Sequence, residues 1–136
     1  MSNQHFDIAI TAFVQALGNR LAPGISDFPG LFTEDATIEV PFDSDGTAQP
    51  IVGRAAIQAM TAALEGVLRF DEVEFSATHI TDNPDVIVCE YNAVLARFDL
   101  GGQFRRRYVS VLTLRDGHIS HLREYGGPFL PVRDTQ

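Results

Sequence analysis

Phe104 to Tyr125 reads FRRRYVSVLTLRDGHISHLREY, two β-rich runs joined by Asp116-Gly117. Asp-Gly between alternating runs is a tight-hairpin signal, because both central positions of such a turn need a positive φ that Gly adopts at no cost. Phe104–Arg115 and His118–Tyr125 therefore form two adjacent antiparallel strands. Working towards the N-terminus, the period of two continues through Asp85–Phe98 and Arg69–Thr81. The joints Thr81-Asp82-Asn83-Pro84 and Asp99-Leu100-Gly101-Gly102 are turn-prone. Four strands in succession imply an antiparallel meander.

Before Val67 the pattern is different. Phe6, Ile10, Phe13, Val14 and Leu17 fall at helical spacing within Gln4–Leu17, a segment that Pro23-Gly24 should close. Ser26 or Asp27 can cap a second, short helix that has Pro29 in its first turn and runs to about Thr33. Ala36–Phe42 reads as an edge strand with Pro41 near its end. Gly53-Arg54 opens a third helix, Ala55–Gly66, with Ile57, Met60, Ala63 and Leu64 as its apolar stripe. Asp43–Gly53 has the composition of a loop, and turn chemistry accounts for Asp43 and Asp45. Helices first and a long-stranded meander last predict an α+β domain, residues 1–136, with a curved antiparallel sheet and three N-terminal helices on its concave face. An apolar concave face under helices makes a pocket.

Composition narrows the function. The 136 residues are 45% apolar and 21% charged, an ordinary globular balance. The net charge of −8 disfavours nucleic acid and anionic membranes as partners. The opening MSNQHFD lacks a signal-peptide pattern and no apolar run could span a bilayer, so a cytoplasmic location is expected. The one cysteine, Cys89 in VIVCEY, reads as a small core residue. His118 and His121 fall on opposite strand faces and no Cys or His cluster accompanies them, so no metal is expected. With no phosphate-binding Gly loop or Rossmann fingerprint, no cofactor is implied.

Strand alternation sorts the remaining residues. On the last strand Ser120, Leu122 and Glu124 share one face, and His121, Arg123 and Tyr125 the other. Pairing across Gly101-Gly102 puts Arg97, Leu95, Ala93 and Tyr91 on the same side as Arg106, Tyr108 and Ser110. His79 shares an apolar face with Val73, Phe75 and Ala77 and is a candidate acid/base partner, or else a satisfied structural histidine. Arg105 and Arg107 point outward, where an interface role suits them better than nucleic acid. Val94, Val109 and Val111 are apolar outward residues, and a homodimer through the outer sheet face is expected.

Three stretches, LFTEDATIEVPF (Leu31–Phe42), PIVGRAAI (Pro50–Ile57) and FRRRYVSVLTLRDGHISHLREY, resemble the SnoaL-like polyketide cyclase and ketosteroid isomerase group of the nuclear transport factor 2-like superfamily. The resemblance implies a cone-shaped sheet whose pocket face carries Leu122, with Glu124 beside it. In the steroid isomerases the base is an Asp before Pro at the end of the strand. Here that position is Val40, and the oxyanion-stabilising Asp and Tyr positions fall on Ser110 and near Phe13. Arg123-Glu124-Tyr125 matches the phenazine-biosynthesis branch, in which the Glu is a pocket acid, while the position of that branch's pocket His is Met60.

The expected function is a cofactor-independent acid/base enzyme, an isomerase, cyclase or dehydratase. Glu124 moves a proton on an apolar carbonyl-bearing ring compound, and Tyr91, Tyr108 or Ser110 binds the oxyanion. The alternative is a protein with the same pocket that binds a ligand, or scaffolds a dimer, without chemistry. Epoxide hydrolysis would require carboxylates flanking an arginine, and Arg97 has none on its face.

Overall fold

The computed structural model describes residues 4–42 and 49–132, so Asp43 and Asp45 lie outside the described residues. Helix α1 is Gln4–Leu17 and α2 is Arg54–Leu64. The strands are β1 (Phe32–Glu39), β2 (Ile51–Val52), β3 (Leu68–Ile80), β4 (Val86–Arg97), β5 (Gly102–Arg115), β6 (His118–Gly126) and β7 (Leu130–Pro131). They form one sheet in the order β2-β1-β6-β5-β4-β3, with β7 pairing with β5 where β6 has ended.

The four-strand meander is as the periodicity predicts. Its hairpin turns at Asp116-Gly117, with φ of 53° and 79°. Gly117 is required for a second reason: its carbonyl accepts the Ala22 N–H at 2.9 Å, and an added Cβ would sit 2.7 Å from that nitrogen.

Two expectations are corrected. The sheet is mixed rather than antiparallel, because β1 runs parallel to β6, Ile38 opposite Leu122. Among the described residues there are also two α-helices rather than three. The segment at Pro29–Leu31 is a single 3-10 turn, in which Asp27 Oδ1 accepts the Gly30 N–H at 2.8 Å, and β1 starts at once at Phe32. The capping signal is real, but a strand competes for the residues that would extend the helix. Likewise α1 stops at Leu17 because Gly18 takes a left-handed φ of 57°, before Pro23 is reached.

One face of the sheet carries the core. Ile87, Cys89, Tyr91, Ala93 and Leu95 of β4, Tyr108, Ser110, Leu112 and Leu114 of β5, and Ile119 and Leu122 of β6 are all buried. Helix α1 covers this face at β3, burying Phe6, Ala9, Ile10, Phe13 and Leu17 while Val14 stays exposed. Leu17 is fully buried, and truncating it to alanine would cost about 2–5 kcal/mol. Helix α2 packs on β1 and buries Ile57 and Thr61; the Thr61 hydroxyl donates to the Ile57 carbonyl at 2.8 Å, so a threonine takes the place in the stripe that the periodicity assigns to Ala63. The PIVGRAAI stretch fastens α2 to β1. Gly53 donates to the Ala36 carbonyl at 2.7 Å, and the Arg54 guanidinium donates to the Phe32 carbonyl at 2.6 and 3.1 Å.

β-Bulges bend the long strands, at Phe70/Glu72 and Phe75/Ala77 of β3 and at Ser120 of β6, opposite the Thr113–Leu114 step of β5. Each adds twist and shifts the inside-outside phase of the residues beyond it. Curvature thus comes with a change in which residues face the core.

Candidate active site

The register of β4, β5 and β6 brings three polar side chains together on the buried face. Tyr91 pairs with Tyr108 and Ser110 with Glu124. The Tyr91 hydroxyl lies 2.8 Å from Ser110 Oγ and within hydrogen-bonding reach of the Glu124 carboxyl. Ser110 is fully buried and Tyr91 is 5% exposed. Glu124 keeps part of its surface accessible, but its carboxyl is surrounded by protein. Loss of solvent raises the Glu124 pKa above the ordinary carboxylate value; the Arg106 charge and the Tyr91 hydrogen bond oppose this without cancelling it.

The three groups form a relay whose direction follows the charge. When Glu124 is ionised, Ser110 donates to Tyr91 and Tyr91 donates to the carboxylate. When Glu124 is protonated, its own O–H donates and the chain reverses, since each hydroxyl both donates and accepts.

Aromatic stacking holds Tyr91 in place. Its ring lies between Phe75, centroids 4.8 Å apart at 19°, and Tyr108, 5.0 Å at 12°. Phe13 of α1 meets Phe75 and Tyr91 edge-on at 5.1 and 5.6 Å. Such pairs contribute about 0.5–1.5 kcal/mol each beyond burial. The Arg106 guanidinium continues the stack, 4.9 Å from the Tyr108 ring centre and 4.3 Å from that of Phe129, and the Arg97 guanidinium lies 4.7 Å from the same Phe129 ring.

The segment after β6 holds Arg106 there. Its Nε donates to the Gly127 carbonyl at 2.7 Å, and its Nη1 reaches the Tyr108 hydroxyl at a long 3.4 Å. Gly126 has no side chain because a Cβ would overlap the guanidinium. Burial pushes the Tyr108 phenol up to about 12 and the Tyr91 phenol well above its ordinary value; the Glu124 charge acts in the same direction on both. Both tyrosines are thus neutral donors near neutral pH.

Of the residues singled out from sequence, Tyr91, Tyr108, Ser110, Arg106, Leu122 and Glu124 come together. Leu122 is 3% exposed and stands opposite Leu112. Val40 and Met60 pack at the margin of the core, partly exposed. Arg97 lies at the far end of β4 and is bound by Asp99 through two hydrogen bonds, 2.5 and 2.8 Å.

His79 is a correction. The bulge between Phe75 and Ala77 reverses the alternation, so Thr78 pairs with the buried Cys89 while His79 pairs with Val88 on the outer face. There its Nε2 contacts Glu90 Oε2 at 2.6 Å with the side chain 54% exposed, on the opposite side of the sheet from Glu124. Ser120 is itself the extra residue of the β6 bulge, between His121 opposite Thr113 and Ile119 opposite Leu114, so that Ile119 rather than Ser120 is buried with Leu122.

Sequence reasoning missed Phe129 and the Gly127 carbonyl. Gly126-Gly127-Pro128 is a visible turn signal, but only pairing of β7 with β5 shows that the chain folds back over Arg106.

Two hollows, of about 710 and 540 Å³, open on the outer face instead. The larger is lined by Glu72, Glu74 and three arginines, whereas the water-shielded acid is on the inner face. Burial pushes the Cys89 thiol up to about 11, unsuited to a nucleophile. Among the described residues no three His, Cys, Asp or Glu side chains converge as a metal site, and no helix is long and apolar enough to cross a membrane.

A curved mixed sheet wrapped by two helices is the architecture of the nuclear transport factor 2-like superfamily. Within it the chain belongs to the SnoaL-like domain family, whose model matches residues 10–122. A PhzA/B-like protein of Pseudomonas aeruginosa is 30% identical over 100 residues, covering 72% of this chain and 69% of its own length. The solved structure of a proposed isomerase from Bacillus subtilis superposes with a TM-score of 0.71 at 22% identity, covering 91% of this chain and 89% of that one. A phenazine biosynthesis-related protein from Pseudomonas aeruginosa gives 0.65 at 17% identity, covering 98% and 92%. An epoxide hydrolase from M. tuberculosis gives 0.60 at 18% identity, covering 90% and 83%. At these identities the structural likeness establishes the fold.

Proposed function

We propose that this protein is a cofactor-independent acid/base enzyme acting on an apolar, carbonyl-bearing ring compound. The observation that carries the reading is the Glu124 carboxyl, desolvated, raised in pKa and tied to the Tyr91–Ser110 relay. An acid of that kind gains and loses a proton nearer neutrality than an exposed glutamate. Glu124 takes a proton from the carbon next to the carbonyl. Tyr91 or Tyr108, neutral and donating, stabilises the oxyanion, and the proton returns at another carbon or oxygen. Isomerisation, aldol-type cyclisation and dehydration share these steps. Leu122, Val40 and Met60 supply apolar contact, and Arg106 and Arg97 lie toward one end of the site. The proposed isomerase and the epoxide hydrolase among the structural neighbours are consistent with small-molecule chemistry on this fold.

The test does not require the natural substrate. A panel of cyclic ketones and enones is incubated with the protein in D₂O, and exchange of the protons beside the carbonyl is followed by NMR. Wild-type protein is expected to accelerate exchange for at least one compound, Glu124→Gln to lose about 10²-fold of it, and His79→Ala to retain it. Exchange unaffected by Glu124→Gln would overturn the reading.

A second reading, a ligand-binding protein without chemistry, is favoured by one observation: the Tyr91 hydroxyl is already engaged by Ser110 and the Glu124 carboxyl. Under that reading a cyclic ketone binds and no member of the panel exchanges.

A further inference from the structure

Tyr91 and Tyr108 stack on each other, yet their hydroxyls are bonded differently. With Glu124 ionised, the Tyr91 hydrogen goes to the carboxylate and the Tyr91 oxygen accepts from Ser110. The Tyr108 hydroxyl is reached by Arg106 Nη1 at 3.4 Å. A guanidinium only donates, so the Tyr108 oxygen accepts, and its own hydrogen has no acceptor among the described residues. Tyr108 is 5% exposed, which makes that hydrogen a buried donor left to serve something else. The two phenols also differ in charge environment. Burial raises both pKa values most, and Glu124 adds to it, but only at Tyr108 do cations oppose the rise, Arg106 by charge and hydrogen bond and Arg97 by charge.

Distant parts of the chain hold Arg106 in that place. Its guanidinium lies against the rings of Tyr108 and Phe129, with Nε tied to the Gly127 carbonyl. It fills the space that a side chain at Gly126, the residue opposite Tyr108 on β6, would take. Arg97 is matched by Asp99, whereas Arg106 has no ion-pair partner among the described residues. Its charge on the inner wall is therefore left to act on the phenol beside it.

We propose that Arg106 is a positioning residue acting through Tyr108, whose hydroxyl it orients and backs with positive charge, and that the site therefore takes planar ring compounds whose oxygen carries negative charge. Enolates and the phenolates that share their shape are that ligand class. The step rests on the acid/base reading of Glu124 given above. As the C–H bond beside the carbonyl breaks, its proton goes to Glu124 and its electron pair moves through the new double bond to the carbonyl oxygen. That oxygen accepts a hydrogen bond from Tyr108 without taking its proton, and Arg106 stabilises the charge the phenol then shares. Tyr91 stays in the relay of the acid. The division of labour follows the ladder: Tyr91, Tyr108 and Gly126 form one inward-facing row, and Ser110 and Glu124 lie in the next, about 7 Å away between backbones. Neighbouring rows suit an oxygen and a carbon that are close neighbours in one ring.

The probe is 4-nitrophenol, whose phenolate is coloured, titrated with the full chain at a pH where most of the free compound is protonated. Wild-type protein is expected to bind it and shift it to the phenolate. Tyr108→Phe should abolish the shift and weaken binding about 10²-fold, and Tyr91→Phe, whose hydrogen serves Glu124, should lose at least about 10-fold less. Arg106→Gln should weaken binding about 10-fold in the native chain and change it by under about twofold once Tyr108 is replaced by Phe, since a residue acting through a hydroxyl has no effect without it. A purely structural Arg106 would cost the same in both backgrounds. Arg106→Lys, which keeps the charge without the fork, should recover part of the loss and of the colour shift. Circular dichroism confirms that each variant is folded. A wild type that does not shift the probe, a loss in Tyr91→Phe as large as in Tyr108→Phe, or an Arg106→Gln loss independent of Tyr108 would overturn the proposal. Proton exchange is read separately. Exchange that needs Glu124, beside phenolate binding indifferent to Tyr108→Phe, would overturn this proposal and leave the acid/base reading standing. Exchange indifferent to Glu124→Gln, beside phenolate binding that needs Tyr108, would overturn that reading and leave the Tyr108–Arg106 oxyanion site in place.

Discussion

Ser110 stands directly across the β5–β6 ladder from Glu124, and its hydroxyl lies 2.8 Å from the phenol that reaches the same carboxyl, Tyr91. A buried serine opposite a buried acid would be costly if either were unmatched. Tyr91, from a third strand, satisfies both. The site is therefore a property of three strands in one register, and each member can be removed separately.

Tyr91→Phe keeps the aromatic stack but leaves the Ser110 hydroxyl buried without the tyrosine oxygen and Glu124 without its donor. It should cost about 1–3 kcal/mol in urea unfolding, more than Ser110→Ala, which removes one hydrogen bond worth about 1 kcal/mol. The double variant should cost less than the sum of the two, because Tyr91→Phe strands the very hydroxyl that Ser110→Ala deletes. Additive losses would show that the two hydroxyls are not coupled.

Glu124 gives stability a pH dependence of determined sign. Its folded pKa is raised above the ordinary 4.5, so between those two values the folded state holds a proton that the unfolded state has released. Stability therefore falls as pH rises through that window, and the penalty persists above it. Glu124→Gln stays neutral throughout and should remove this fall, so that the variant gains on wild type as pH rises from about 4.5 toward neutrality. Chemical denaturation at a series of pH values checks this. A Glu124 contribution that grew with pH would contradict the desolvated acid.

Gly126→Ala places a methyl where the Arg106 guanidinium lies. The guanidinium cannot yield freely, being held by the Gly127 carbonyl and by the Tyr108 and Phe129 rings. The substitution should cost about 1–3 kcal/mol, and Arg106→Ala in the same chain should recover part of that loss by opening the space. Equal melting temperatures for wild type and Gly126→Ala would show that the guanidinium is mobile.

Much of this is legible in the sequence for a local reason. Period-two alternation and turn chemistry act between near neighbours, so the four long strands, the Asp116-Gly117 hairpin and the shared face of Tyr91, Tyr108 and Ser110 follow from the residues themselves, while the place of Glu124 on that face came from the family resemblance. Alternation assigns faces reliably only where a strand has no bulge, as in β4 and β5. The stretch between Gly18 and Leu31 is less legible, because a capping signal states where a helix can begin and not whether a strand will take its residues.

What only the tertiary structure decided depends on contacts between distant segments. The bulge at Phe75/Ala77 of β3 exists only in its pairing with β4, and one extra residue is enough to carry His79 to the opposite face. The parallel pairing of β1 with β6 joins segments about 80 residues apart, such as Glu39 and His121, and the return of Phe129 over Arg106 depends on a free edge of β5 that exists only after β6 has ended. The sequence by itself determined the strands and which groups could share the inner wall. Folding decided which of them are shielded from water, and that shielding is what turns Glu124 from a surface carboxylate into a candidate acid.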